Sequence, residues 1–292
     1  MDIEKYLSTQ KNIIDEALDY YLPKACEYPK IIHEAMRYGV FSGGKRIRAI
    51  LVLAAGEAVD GEEKGLFQAA TAIELIHAYS LIHDDLPAID DDDFRRGKPS
   101  CHKKFNEAIA ILAGDALLTH AFYLLSRIKS PSDKVIKCCE EISYAIGTSG
   151  MIGGQIVDIE SEDSKELDIP TLEYIHTHKT GVLICAAVKV GCILGGGDKK
   201  QLHSLTQYGK HIGLAFQIVD DLLDIEEEWK KGKNRKSDLA KKKLTYPAVY
   251  GVESSKDQVQ MLIEEALGAI ANFNHKAESL RAIAEFIGTR RY

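Results

Sequence analysis

Six aspartates crowd the stretch HDDLPAIDDDDFRRG, from His83 to Gly97, with two arginines directly behind them. A second acidic cluster, DDLLDIEEE, begins at Asp220 within an otherwise apolar segment. On a helix Asp220 and Asp224 are four residues apart and Gln217 lies one turn earlier, so the three leave one face with Asp221 beside them. Like charges at that spacing oppose even a solvated helix by roughly 0.2–0.5 kcal/mol per pair. At an effective dielectric of about 20, a close pair in a cleft costs on the order of 4 kcal/mol. Something must neutralise them. Carboxylates without adjacent His or Cys suit a hard cation, and Mg²⁺ takes one or two carboxylates, several waters and phosphate oxygens.

The first cluster follows the same logic with a different geometry. His77, Ser80 and Asp84 fall at i, i+3 and i+7, one stripe of a helix that ends near Pro87. Asp84 and Asp90 would face different directions on a regular helix. They converge only if the chain turns between them, and Pro87, which lacks an amide donor, favours such a break. Arg95 and Arg96 supply planar forks matched to phosphate oxygens. Carboxylates that take a metal, with guanidinium groups beyond them, describe a clamp for a diphosphate. Simpler readings compete. An isolated run of aspartates is a solvated acidic loop, and Asp91, Asp92 and Asp93 are read either that way or as lying behind the metal ligands. Neither cluster has the DxDxDG loop of an EF-hand. The pair His83-Asp84 could also belong to a helical metal phosphohydrolase of the HD type. The diphosphate reading gains from the conjunction: two apolar helices far apart in the chain, each with paired aspartates, a further aspartate and basic residues beyond.

The elements that must position these groups read as all-α. Across 292 residues the segments between turn signals are rich in alanine and leucine, with apolar residues three and four apart rather than alternating. Helices are expected over 3–21, 28–38, 45–58, 65–85, 106–129, 133–149, 171–194, 199–228, 256–272 and 275–287. No stretch resembles an interdomain linker, so one domain is expected over 1–292. The segment KKGKNRKSDLAKKK, 230–243, is dominated by Lys and Arg and directly follows the second acidic cluster. A formal net charge of −7, with both signs mixed along the chain, gives no reason to expect nucleic acid as a partner. The residues after Met1 lack the pattern of a signal peptide, and no uninterrupted apolar run approaches the ~20 residues of a membrane span. The expectation is a cytoplasmic protein without stable membrane insertion. Cys26, Cys101, Cys138, Cys139, Cys185 and Cys192 show no CxxC spacing, which fits reduced thiols.

These motifs resemble those of the trans-isoprenyl diphosphate synthases, most closely the short-chain bacterial farnesyl diphosphate synthases. DDLPAID resembles the first aspartate-rich motif in its DDx4D form, and DDLLD, 220–224, the second. The similarity extends through GGKRIR (43–48), IELIHAYSLIHDDLPAIDDDDFRRGKPSCH (73–102), GDALL (114–118), GGQIVDI (153–159), HKTG (178–181) and KLTYPAVYG (243–251). The resemblance implies an isoprenoid-synthase-type helical bundle around a deep central cavity, usually a homodimer, with the acidic motifs on facing helices. It implies three Mg²⁺ ions, two held by Asp84 and Asp90 and the third by Asp220, assisted by Asp85, Asp221 and Asp224. Arg95, Lys179, Lys233 and Lys243 would contact the allylic diphosphate. Gly44, Lys45, Arg48, His77 and Arg96 would form the isopentenyl diphosphate site, and Thr180 and Gln217 match residues whose oxygens face the developing carbocation. Gln155 and Asp158 fit a structural hydrogen bond and metal-bound water equally well.

Product length is expected to follow from Tyr79, five residues before Asp84 and so about 7.5 Å along a helix. In such enzymes a bulky residue there floors the growing tail, and with Ser80 beside it the implied product is farnesyl diphosphate. Geranylgeranyl synthases of the same family share most of the surrounding motif and remain the alternative. A terpene cyclase would usually carry an asymmetric Asn/Ser/Glu motif where this chain has DDLLD. A non-catalytic subunit would typically lack one acidic motif, and both are intact here.

Overall fold

The structure, a computed structural model, describes residues 1–61, 65–162, 169–230 and 245–289. Contacts divide the chain into two compact units. One comprises Asp2–Leu53 and Glu62–Cys139; the other comprises Met1, Ala54–Gly61 and Glu140 onward.

In the first unit, α1 (Ile3–Tyr21), α2 (Lys30–Val40) and the start of α3 (Ile47–Ala58) precede α4 (Leu66–Asp84). A small hairpin follows, β1 (Phe94–Arg95) against β2 (Lys98–Pro99), then α5 (Cys101–Lys104), α6 (Glu107–Ser126) and the start of α7 (Ser132–Ile146). Helix α4 is the core element. Ala69, Ala70, Ala72, Ile73, Leu75 and Ile76 are all fully buried, because α1, α2 and α6 pack around it. A helix covered on several sides has no polar face to show, so its sequence is apolar nearly all round. Local chemistry fixes the ends of other helices. Asp2 accepts from the Lys5 amide at 3.1 Å, and the Asn106 side chain caps α6 by accepting from the Ile109 amide at 2.9 Å.

The second unit holds α8 (Met151–Glu162), α9 (Ile169–Ile175), a π-helical stretch His176–Gly181, α10 (Val182–Gly195), α11 (Lys199–Lys230), α12 (Tyr246–Tyr250), α13 (Val252–Ala269), a short 3₁₀ turn His275–Ala277 and α14 (Glu278–Thr289). The start of α11 is a reciprocal capping box. Asp198 Oδ1 accepts from the amides of Lys200 and Gln201 at 2.8 Å each, and Gln201 Oε1 accepts from the Asp198 amide at 2.9 Å.

Most expected helices are present within a few residues. The single helix expected over 171–194 is instead wound as α9, the π-helical stretch and α10. Helix α8 was not anticipated, since Gly153 and Gly154 lower helix propensity by about 1 kcal/mol each relative to alanine. Tertiary packing overrides that cost: a Cβ on Gly154 would sit 2.4 Å from the Lys179 amide nitrogen. Among the described residues two helical stretches, Glu107–Ser126 and Ile169–Gly195, are long and apolar enough to cross a membrane by length and composition. The second is mostly buried within the fold.

Candidate active site

In the first unit the acidic motif sits where α4 ends. The Leu86 amide donates to the His83 carbonyl at 3.1 Å, Ile89 to Leu86 at 2.9 Å and Asp91 to Leu86 at 3.1 Å. These bonds wind the chain through Pro87, and the Asp90 amide then closes onto the Asp84 carbonyl at 2.9 Å. The turn brings the backbones of the two aspartates together, as the break at Pro87 required. Asp84 and Asp90 are partly exposed, whereas Asp85 is only 3% exposed. Asp85 Oδ1 accepts from Arg95 Nε at 2.8 Å and also from Arg95 Nη2. Burial raises the Asp85 pKa, and Arg95 offsets part of that rise. Arg95 Nη2 also reaches Asp92 at 3.2 Å.

Arg95 and Arg96 owe their placement to the hairpin. Arg95 pairs with Lys98, and the turn between them holds Arg96 and Gly97 at φ of +54° and +75°. Positive φ at both turn residues is what a tight two-residue hairpin demands, and glycine supplies it at one of them without strain. The guanidinium of Arg96 donates to the Gly43 carbonyl. A Cβ on Gly44, whose φ is +122°, would lie 2.8 Å from Arg96 Nη1, so glycine at 44 leaves room for that guanidinium.

Arg46 braces the same segment from beneath. It is 6% exposed, with Nε 2.8 Å from Asp15 Oδ1, Nη1 3.4 Å from Glu74 Oε2 and Nη2 donating to the Val40 carbonyl at 2.8 Å. Glu74 also accepts from the Ala49 amide at 3.3 Å, at the start of α3. Sequence reasoning named Lys45 and Arg48 and passed over Arg46 between them, because nothing in the spacing marks a buried cation. Lys45 itself is exposed, and Arg48 Nη1 donates to His77 Nε2 at 3.3 Å. Burial, followed by the charges of Arg48, Arg96, Arg46 and Arg95, holds the His77 pKa well below its ordinary value. His77 is therefore a neutral group among guanidinium groups, a setting an anion would relieve.

Further along α4, Ser80 Oγ donates to the His77 carbonyl at 3.0 Å. Tyr79 is 6% exposed and packs edge-on against His83, with ring centroids 5.8 Å apart. Burial and Asp84 push the phenol up to about 12, and its hydroxyl is buried without a partner among the described residues. His83 Nε2 lies 3.0 Å from the Ile111 carbonyl, and its ring occupies the space beside Gly114. His83 is thus committed to α6, which removes the motive for reading it with Asp84 as a phosphohydrolase pair. Asp91, Asp93 and His102 present ligand atoms within 4.8 Å of one another, with Lys103 Nζ 2.8 Å from Asp93.

The second unit carries the other candidates. Gly181 on the π-helical stretch crosses α11 at Gly213, where a Cβ would lie 2.9 Å from the Gly181 Cα. That close crossing brings Thr180 onto Gln217, and Thr180 Oγ1 donates to Gln217 Oε1 at 2.7 Å. Gln217 Nε2 in turn donates to Asp221 Oδ1 at 3.0 Å. Asp221 is 6% exposed, Asp220 is partly exposed and Asp224 is exposed. Lys179 Nζ lies 2.6 Å from Asp158 Oδ2 on α8, and Gln155 Nε2, one turn before Asp158, is buried without a partner among the described residues. Asp158 therefore orients Lys179. His176, 4% exposed, was not singled out from the sequence and proves to contact Asp221. Lys233 and Lys243 lie outside the described residues.

The donor set fits a hard divalent cation. Oxygen donors dominate both motifs, and the turn that joins Asp84 to Asp90 brings the backbones of two aspartates together. Guanidinium groups on the adjacent hairpin complement an anion such as a diphosphate.

Comparison with known proteins gives the same picture. The chain is 45% identical over 288 residues to a geranylgeranyl diphosphate synthase of Cyanophora paradoxa, spanning 98% of this chain and 95% of that protein. It is 42% identical over 294 residues to the farnesyl diphosphate synthase of Geobacillus stearothermophilus, spanning 99% and 98%. The crystal structure of an FPP/GFPP synthase from Zymomonas mobilis superposes with a TM-score of 0.88 at 35% identity, covering 99% of both chains. The polyprenyl synthetase family pattern runs through residues 29–286, from the residue before α2 into α14 and across both acidic motifs. With helices, motifs and relatives in agreement, this chain belongs to the polyprenyl synthetase family.

Proposed function

We propose that this prenyltransferase joins isopentenyl diphosphate to dimethylallyl diphosphate and then to geranyl diphosphate, giving farnesyl diphosphate by ionisation, condensation and elimination. The observation that carries the chemistry is the pairing, within one unit, of the Asp84–Asp90 turn with a neutral His77 among Arg46, Arg48, Arg95 and Arg96. Those two settings answer the two needs of a diphosphate pair, a carboxylate seat for a cation and a cationic seat for an anion. Tyr79, buried five residues before Asp84, carries the choice of a fifteen-carbon product.

Asp84, Asp90 and Asp220 would hold Mg²⁺, which when bound offsets charge developing on the leaving diphosphate. Asp85 holds Arg95 and Asp158 holds Lys179, so two of the four cations expected at the allylic diphosphate are each oriented by a carboxylate. Arg48, Arg96 and His77 would bind the isopentenyl diphosphate, Arg96 in the space that Gly44 leaves. The oxygens of Thr180 and Gln217 would face the allylic carbon as its bond to oxygen ionises, stabilising positive charge by preorganised dipoles. The isopentenyl double bond then attacks that carbon, and loss of a proton to the released diphosphate completes a chain five carbons longer. A homodimer is proposed through exposed apolar side chains, such as Ile152 and Ile156 on α8. Sedimentation of the purified chain tests that assembly, and a monomer at micromolar concentration would refute it.

Product analysis with labelled isopentenyl diphosphate and Mg²⁺, using dimethylallyl or geranyl diphosphate as co-substrate, tests the reaction. A fifteen-carbon diphosphate from both supports the whole reading. A twenty-carbon product replaces it with geranylgeranyl synthesis, the activity named for several relatives, and absence of elongation by folded protein refutes it.

A further inference from the structure

We infer that Asp221, the second aspartate of the DDLLD motif, is a positioning residue: braced by His176 and by the amide of Tyr246, it fixes the side-chain amide of Gln217 and, through it, the hydroxyl of Thr180. The family resemblance implies that Asp221, like Asp224, assists at the metal anchored by Asp220. The geometry separates them.

Asp221 is 6% exposed, and its two oxygens are already engaged. Oδ1 accepts from Gln217 Nε2 at 3.0 Å, and Oδ2 accepts from the Tyr246 amide at 2.9 Å and lies 3.3 Å from His176 Nε2. The His176 ring stacks on Tyr246 at 5.9 Å between centroids, and its Nδ1 is buried without a partner among the described residues. The tautomer with hydrogen on Nε2 satisfies both facts. It gives Asp221 its donor and leaves at Nδ1 a bare nitrogen rather than an orphaned N–H. A cation on Asp221 would have to compete with the donors that Gln217, Tyr246 and His176 already present to its two oxygens.

The arrangement has the regularity of two rungs. His176 and Thr180 are four residues apart on one helical stretch, and Gln217 and Asp221 are four apart on α11. His176 meets Asp221 and Thr180 meets Gln217. The close crossing of Gly181 over Gly213 sets the separation of the two helices. Gln217 could in principle present either its oxygen or its nitrogen to Thr180. Asp221 removes the choice, because a carboxylate only accepts and so draws the nitrogen. The carbonyl oxygen must then turn to Thr180, which spends its single proton on it at 2.7 Å. Thr180 Oγ1 and Gln217 Oε1 consequently keep lone pairs for whatever approaches those two oxygens. Positive charge favours that polarity, and a flipped Gln217 would reverse it.

The kinetic meaning rests on the prenyl transfer proposed above; the orientation of Gln217 does not. The test uses full-length protein with the substitutions His176→Ala, His176→Gln and Asp221→Asn. Glutamine at 176 retains a nitrogen donor near the position of Nε2. The readout independent of activity is solvent exchange of the Gln217 side-chain amide protons by NMR, assigned through their loss in Gln217→Ala. Exchange should quicken about tenfold in His176→Ala and return towards wild type in His176→Gln. In steady-state assays His176→Ala should lower kcat by about 10- to 100-fold, with KM for both diphosphates within about twofold, and His176→Gln should recover most of it. Asp221→Asn should lower kcat while leaving the Mg²⁺ concentration for half-maximal rate within about twofold. Unchanged Gln217 exchange in His176→Ala would overturn the inference, as would an Asp221→Asn enzyme whose Mg²⁺ requirement rises more than about tenfold. Wild-type protein without elongation activity would sink the proposed function instead, and the exchange measurement would still decide the role of Asp221.

Discussion

The amide of Asp90 donates to the carbonyl of Asp84 at 2.9 Å, and this one bond brings together the backbones of two aspartates six residues apart. A cation bridging such carboxylates loses a ligand when either is made neutral, while the backbone bond that forms the turn needs no side chain. Asp84→Asn and Asp90→Asn should therefore keep the helical circular dichroism of the parent. Each should lower kcat/KM for chain elongation by at least about hundredfold, with part of the loss recovered at raised Mg²⁺. Steady-state assays over a Mg²⁺ titration check this, and full activity at ordinary Mg²⁺ would count against the seat.

Tyr79 separates a steric role from a polar one. Its hydroxyl is buried without a partner among the described residues, so Tyr79→Phe removes an unsatisfied group. Stability should stay within about 1 kcal/mol of the parent or rise, and the product should remain fifteen carbons long. Tyr79→Ala removes the ring as well. It should cost about 3–5 kcal/mol of stability, as large aromatic deletions do, and shift products to longer chains. Chromatography of the products alongside urea titration reads both effects, and an unchanged product profile in Tyr79→Ala would remove the floor.

Much of this was legible in the residues and some was not, for physical reasons. The turn between Asp84 and Asp90 could be anticipated because Pro87 announces a break. A helix starting at residue 199 is expected, and the structure supplies its cap from Asp198 and Gln201. Arg46 escaped notice because its partners, Asp15 and Glu74, are distant in sequence, and a buried cation looks the same on the page as a solvated one. His176 escaped for the same reason: Asp221, its partner, comes from another helix. Helix α8 was hidden by the very glycines that its packing requires.

Gly154 makes that last point measurable. Its missing side chain lets α8 approach the backbone of Lys179 directly, with the amide nitrogen 2.4 Å from an ideal Cβ and the Lys179 Cα at 2.9 Å. Backbone cannot swing aside as a flexible side chain can. Gly154→Ala should gain about 1 kcal/mol of helix propensity yet lose more through overpacking, for a net loss of about 1–2 kcal/mol. It should also pull Asp158 away from Lys179 and lower kcat, whereas a purely propensity-driven outcome would raise the melting temperature. Thermal unfolding and elongation assays on the same preparation distinguish the two.

His77 gives the protein a pH signature that the substrate should erase. Its pKa is held well below 6.5 by burial and by Arg48, Arg96, Arg46 and Arg95, so the folded chain keeps it neutral while the unfolded chain protonates it near the ordinary value. Below about pH 6.5 the unfolded state therefore binds more protons, and stability falls as pH falls, by up to about 1.4 kcal/mol per pH unit, until the folded value is reached. Above that window His77 is neutral in both states and contributes no slope. His77→Gln, which keeps a polar side chain without a titrating ring, should flatten this part of the profile. Inorganic diphosphate, by offsetting the guanidinium charge, should raise the folded pKa and flatten it in the parent as well. Urea titrations from pH 5 to pH 8, with and without diphosphate, check both expectations. An equally steep profile in His77→Gln would place the acid sensitivity on another group.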